Sequence, residues 1–154
     1  MRTSYGGPVE PDTIHHLLLV AFSRANHAMN ARTRDHGLMP GQPKVLEYLA
    51  GNEGCLQRDI ARACEMDRAT ATGVLGRMEG MGLIERRPKV GDRRALEVWL
   101  TPAGWEAAEC VARYGAEVDE IACTGLTNEE RDVLARLLVR VRDNFSERGD
   151  DAHE

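Results

Sequence analysis

Residues 56–100 read LQRDIARACEMDRATATGVLGRMEGMGLIERRPKVGDRRALEVWL, and the order of elements in this stretch decides the fold. Leu56, Ile60 and Ala63 recur at helical spacing and predict the buried edge of a short helix. Cys64 to Met66 predicts a tight turn. Asp67 supplies an N-cap carboxylate for a second helix running to about Met81, where Gly82 stops it. Leu83 to Arg87 then predicts a strand, Pro88 to Arg93 a loop, and Arg94 to Leu100 the returning strand. On that strand Ala95, Glu97 and Trp99 share one face, and Leu96, Val98 and Leu100 the other. Helix, turn, helix and hairpin in this order describe a winged helix-turn-helix.

The Asp67-led helix carries the functional signal. At about 100° per residue, Ala71, Val74, Leu75 and Met78 fall on one side as a core face. Ala69, Thr72, Gly73 and Gly76 fall on the opposite side, with Arg68 and Glu79 along one edge and Thr70 and Arg77 along the other. Each glycine inside a helix costs about 1 kcal/mol relative to alanine, so a merely solvated face would use Lys, Glu or Gln. Small residues let the helix axis approach another surface closely, and the DNA major groove is one that admits a helix. Arg68 and Arg77 would reach phosphates or guanine edges, and Thr70 or Thr72 a thymine methyl or phosphate oxygen. Gln57, at the start of the preceding helix, completes this set. The alternative is that Gly73 and Gly76 permit close helix packing inside the protein. The wheel argues against it, because the opposite face already supplies the apolar contacts.

In the hairpin, Arg86, Arg87, Lys89, Arg93 and Arg94 crowd around a tip containing proline and glycine. Arginine on such a tip can enter a minor groove, whose narrow A·T tracts concentrate negative potential. Asp92 would either clamp one arginine or hold the turn. The chain carries a formal charge of −5, yet residues 56–100 hold nine basic and seven acidic residues, a local +2 against −7 elsewhere. That asymmetry turns one face toward a phosphate backbone.

Outward from this lobe, Met1 to Glu10 reads as a loose segment. A long helix is expected from near Pro11 or Asp12, striped by Ile14, Leu17, Leu18, Ala21, Phe22, Ala25, Ala28 and Met29, with Gly37 as its cap. Pro40 to Pro43 predicts a turn. Val45, Leu46 and Leu49 mark a short helix that Gly51 to Gly54 breaks. Thr101-Pro102 starts a helix to about Ile121, carrying Trp105, Ala108, Val111, Ala112, Val118 and Ile121 as its apolar positions. Thr127 to Glu130 forms a capping box for a last helix, with Val133, Leu134, Leu137, Leu138, Val141 and Phe145 inward and a frayed polar tail from Ser146. The expected class is therefore mainly α with a small β-hairpin wing. All 154 residues form one domain: residues 11–36 and 102–147 supply dimerisation helices, and residues 41–100 the DNA-binding lobe. A chain this short cannot bury both long apolar stripes on so small a lobe, which implies a homodimer.

No stretch approaches the ~18 apolar residues of a membrane span, and the N-terminus lacks a secretory core, so a cytoplasmic setting is expected. Cys55, Cys64, Cys110 and Cys123 lack the spacing of a zinc or redox motif, and Cys55 and Cys64 read as small core fillers. Cys110 and Cys123, on or after the fifth helix, are placed where a dimer contact is possible. His15, His16, His27 and His36 are not paired at metal-ligating spacing. No catalytic signature, cofactor motif or metal site is expected.

The run DRATATGVLGRMEGMGLIERRPKVGDRRALEVWLTPAG, residues 67–104, resembles the multiple antibiotic resistance regulator (MarR) family. The resemblance lies in the Asp67-led helix, the Gly82-Leu83-Ile84 exit, Asp92-Arg93-Arg94 in the wing and the Leu100-Thr101-Pro102-Ala103-Gly104 step into the next helix. It implies a six-helix architecture and a homodimer built from the first, fifth and sixth helices. It also implies a sequence-specific transcriptional regulator on a pseudo-palindromic operator, and repression relieved by a small-molecule effector, an oxidant or a metal. The expected DNA-contacting residues are Gln57, Arg68, Ala69, Thr70, Thr72, Gly73, Arg77, Arg86, Lys89, Asp92, Arg93 and Arg94. The competing class is a winged-helix protein-interaction module that has lost DNA binding, which the acidic net charge would suit. A redox- or metal-responsive regulator is the other alternative.

Overall fold

The computed structural model describes residues 13–149. The expected helix start near Pro11 or Asp12, the segment Met1 to Glu10 and the end of the polar tail lie outside them. The elements are α1 (Ile14–Arg34), α2 (Gln42–Gly51), β1 (Cys55–Leu56), α3 (Gln57–Ala63), α4 (Arg68–Gly80), β2 (Ile84–Lys89), β3 (Asp92–Leu100), α5 (Pro102–Ala122) and α6 (Asn128–Gly149). The chain divides after Val118, within α5, into two compact units.

In the first unit, α2, α3, α4 and the sheet close around one core. Val45, Leu46, Leu49, Ile60, Leu75, Met78 and Val98 are fully buried in it, with Ile84 and Val111 nearly so. The core face of α4 is the one its wheel requires: Ala71, Val74, Leu75 and Met78 are its buried residues. The Asp67 carboxylate accepts the Thr70 N–H at 2.6 Å, capping the first turn. That hydrogen bond holds the Asp67 carboxyl below its usual range. The helix ends at Gly80, one residue short of expectation, with Met81 as C-cap.

The sheet is three-stranded and antiparallel, ordered β1-β3-β2. Cys55 pairs with Val98 and Leu56 with Glu97. Sequence patterning does not reveal this first strand, because two residues are too short for any periodicity to register. Leu56 therefore belongs to the strand, and α3 begins one residue later with only Ile60 buried; Ala63 is exposed. The hairpin strands are longer than expected. Residues 88–93 form no loop, and only Val90 and Gly91 turn. Pro88 is tolerated because β2 is an edge strand, where its missing donor breaks no ladder. Gln42 and Pro43 likewise open α2 rather than forming a turn, since proline suits a first helical turn.

Two glycines are demanded by close approach. Gly54 has φ +78°, and a Cβ there would meet Trp99 Cζ2 at 2.8 Å. A Cβ on Gly104 would collide with the Leu83 carbonyl oxygen. Gly104 thus seats α5 against the start of the hairpin, where the Thr101 N–H donates to Leu83 O at 3.1 Å. Ala108, Cys110 and Val111 continue the buried side of α5, while Trp105, Ala112 and Ile121 stay exposed. α1 joins the core through its C-terminal end, by Met29, buried Thr33 and Leu38 beyond it. Further up, Ile14, Leu17 and Phe22 are exposed.

In the second unit, Thr127 and Glu130 form the capping box that their spacing predicts, with bonds of 2.8 and 3.1 Å. Arg131 grips the Glu120 carboxylate at 2.7 and 3.2 Å. The inward placement expected for α6 is corrected. Val133, Leu134, Leu137, Leu138 and Phe145 are all exposed, because no described residue covers their stripe. α6 also stays helical past Ser146, to Gly149.

Candidate nucleic-acid interface

The outer strip of α4 faces solvent. Arg68, Ala69, Thr70, Thr72, Gly76 and Arg77 are exposed, and Gly73 is half-buried under the neighbouring Arg77. A Cβ on Gly76 would meet open space, and one on Gly73 would meet only the guanidinium of Arg77, at 3.6 Å. Neither glycine is therefore needed for packing among the described residues, which argues against the internal-packing explanation. Gln57 Nε2 donates to Thr72 Oγ1 at 2.9 Å, and Thr72 Oγ1 donates to the Arg68 carbonyl at 2.9 Å. These two bonds hold a polar side chain of α3 against the strip, so the two helices of the motif present one continuous edge.

The hairpin is fastened to α4 by an ion pair. Arg86 Nε and Nη2 donate to the two Glu79 oxygens at 2.8 and 3.1 Å. This bidentate bond holds the Glu79 carboxyl below its ordinary range and raises Arg86. Arg86, expected among the DNA cations, thus has its guanidinium occupied. On the neighbouring position Arg87 lies over the Trp99 ring, 4.8 Å from its centroid, and also pairs with Glu85. The Glu79–Arg86 link is not legible in the sequence, because the two residues sit across a helix–strand junction where no periodicity connects them. The Glu53 carboxylate, which accepts the Leu100 N–H at 3.0 Å, is a further long-range clamp of the sheet.

The tip is built differently. The register steps from Pro88 opposite Leu96 to Lys89 opposite Asp92, so Arg93, Arg94 and Ala95 have no counterpart on β2. A bulge of this kind re-aims side chains. Asp92 Oδ1 accepts the Arg94 N–H at 3.0 Å, so of its two expected roles it holds the turn. Among the described residues Lys89, Arg93, Arg94, Arg68 and Arg77 have no acidic partner. Of the nine basic residues in 56–100, Arg58 and Arg62 also lack an acidic partner among the described residues, so seven are unpaired and only Arg86 and Arg87 are locked internally.

The chain's similarity to known proteins follows this geometry. A family model described as MarR family matches residues 36–95. An HTH-type transcriptional regulator of Bacillus subtilis (strain 168), YybA, is 30% identical over 116 residues, covering 75% of this chain and 77% of that one. The chain belongs to the MarR family.

The transcriptional repressor NicR of Pseudomonas putida is 25% identical over 138 residues, covering 90% of this MarR-family chain and 87% of NicR. Bordetella bronchiseptica BpsR, whose DNA binding is regulated by 6-hydroxynicotinic acid, superposes with a TM-score of 0.79 at 28% identity. That match covers 90% of this chain and 99% of BpsR. As a MarR-family member the chain is a DNA-binding transcriptional regulator, and the six helices and small sheet are the winged-helix architecture of that family.

Other sites sort themselves by burial. Burial and the nearby Asp59 push the Cys55 thiol up to about 11, and burial raises Cys64 as well. Both thiols stay protonated at neutral pH, the opposite of a reactive thiolate. Among the described residues no group of His, Cys, Asp and Glu could hold a metal ion, and no helix is long and apolar enough to cross a membrane. His36 hydrogen-bonds Tyr114 across 2.6 Å.

Proposed function

We propose that the chain is a homodimeric repressor that docks α4 in successive major grooves of a pseudo-palindromic operator and lays its wing in the flanking minor grooves. The observation that carries this is the outer strip of α4: two glycines, Gly76 exposed and Gly73 half-buried under Arg77, on a helix face where no packing contact among the described residues requires them. Ala69, Thr72, Gly73 and Gly76 let the helix sit deep, and Gln57, Thr70, Arg68 and Arg77 edge the approach. Lys89, Arg93 and Arg94 supply phosphate and minor-groove charge. Asp92 and Arg86 act as positioning residues, the first for the turn and the second for the angle between hairpin and helix.

The homodimer is supported by the apolar stripes of α1 and α6. Leu126, Val133, Leu134 and Leu137 line an open groove of about 400 Å³ that a second copy would fill. Two-fold symmetry then matches two half-sites about one helical turn apart.

For release, a cleft of about 490 Å³ is lined by His36, Leu38, Met81, Leu83, Cys110 and Arg113. Arg113 and His36 are its groups able to hold a carboxylate, set beside the opposing carboxylates of Glu106 and Glu109, and a small aromatic acid is the class to which the BpsR ligand belongs. The cleft touches the end of α4 through Met81 and the start of the hairpin through Leu83, so a bound acid would bear directly on both DNA-reading elements. Binding of the purified protein to duplexes flanking its own gene, with and without hydroxylated nicotinic or benzoic acids, tests the reading. A specific complex that such an acid releases supports it. Equal affinity for unrelated DNA would overturn sequence specificity.

A further inference from the structure

Val90 is the most exposed large apolar side chain among the described residues, at 98%. It stands at the tip of the wing, between Lys89 and Gly91. The fold does not account for it. Gly91 alone supplies the positive φ of the turn, +89°, so the backbone asks nothing special of residue 90. An exposed isopropyl group packs against nothing, and turn tips favour Asn, Asp, Ser or Gly. Its sequence neighbours Lys89, Arg93 and Arg94 have no acidic partner among the described residues, so one apolar group stands within four residues of three unpaired cations, with Asp92, which holds the turn, as the one acid among them.

We propose that Val90 is a specificity-determining residue of the wing: it lies on the minor-groove floor and disfavours G·C pairs there. The inference rests on the reading that the wing docks on DNA. The surrounding charge selects the occupant. A protein partner would be met by an apolar patch of several hundred Å² rather than by one side chain among cations. Within the minor groove, A·T and T·A pairs offer only acceptors, whereas G·C adds the guanine N2 amino group. An isopropyl group on the floor would both clash with that amino group and strip it of water without offering an acceptor. Arginines alone read the width and potential of the groove. Val90 adds a test of what protrudes from its floor, at positions the arginines treat more leniently.

The experiment uses the full chain and three operator duplexes that differ only at the wing-contacted pairs: A·T, G·C or I·C. Inosine lacks the N2 amino group, so I·C keeps the major-groove pattern of G·C while clearing the minor groove. Wild type should bind the A·T and I·C duplexes alike and the G·C duplex about tenfold more weakly. V90T keeps the shape of the side chain but supplies a hydroxyl that can accept from N2. It should shrink that ratio to about threefold or less, with an unchanged salt dependence because no charge is altered. Residue 90 contacts no core, so V90T should melt at the wild-type temperature, which reports that the fold is intact. An unchanged A·T to G·C ratio in V90T overturns the proposal, as does I·C behaving like G·C in wild type. Wild-type protein that discriminates none of the operator duplexes from bulk DNA would instead overturn the docking reading beneath it.

Discussion

α4 and α6 each leave one helix face uncovered among the described residues, and the two faces are chemical opposites. On α4 the uncovered face is alanine, threonine and glycine edged by arginine. On α6 it is valine, leucine and phenylalanine, with Leu137 half exposed and Phe145 at 69%. Exposure alone therefore says little about function. The first face removes side-chain volume and accepts the cost in helix propensity, which makes sense only if something polar and rigid comes close to the backbone. The second exposes area that water disfavours by about 25 cal/mol per Å², which makes sense only if another apolar surface covers it. In the proposed function the first face serves a groove in DNA and the second another copy of the chain.

The contrast can be broken most severely at Gly73. Gly73→Glu puts bulk and negative charge on the strip, and DNA affinity should fall at least about hundredfold by gel shift while sedimentation shows association unchanged. Loss of both together would mean that the two faces are not separable. On α6, Leu134→Glu should weaken self-association by about 2–3 kcal/mol, read by analytical ultracentrifugation, and DNA affinity should follow only because one half-site is lost. A monomeric wild type would remove that role from α6. Arg94→Ala should cost about 1–2 kcal/mol of DNA binding and lower the salt slope by about one, whereas Arg86→Ala should leave the slope nearly intact because its charge is already spent on Glu79. Equal slopes for the two variants would contradict the division between free and locked arginines.

Smaller still is Gly76→Ala. It should stabilise the fold by up to about 1 kcal/mol in denaturant titration while weakening DNA binding, since the glycine is kept for the groove and not for the helix. The slightest effect is in acid. Glu79 titrates lower in the folded chain than in the unfolded one, so its pair with Arg86 contributes fully above the ordinary glutamate range and is lost as pH falls through the lowered value. Glu79→Gln should flatten this small acid dependence, by a few tenths of a kcal/mol for so exposed a pair, as seen by following the melting temperature between pH 6 and pH 3.

Much of this was legible in the chain because it depends on neighbours in sequence. The core face of α4, its Asp67 cap, the Thr127–Glu130 capping box and the Thr101-Pro102 helix start each lie within one or two turns of helix, where 3.6-residue spacing and side-chain-to-backbone bonds decide the outcome. The small-residue strip is local in the same sense, and with it the prediction of a groove-binding helix. Tertiary structure decided everything that joins residues far apart or depends on a strand's neighbours. β1 exists only because β3 passes beside it, and Pro88 stays in a strand only because that strand is at the sheet edge. Arg86 is lost to Glu79 only once hairpin and helix meet, and Arg87 to Trp99 only once β2 and β3 pair. Sequence counts charges without knowing which are already paired, since pairing across a fold is a matter of distance. The fold alone sorted a basic wing into arginines that hold it in place and the bulged Arg93 and Arg94, which have no acidic partner among the described residues.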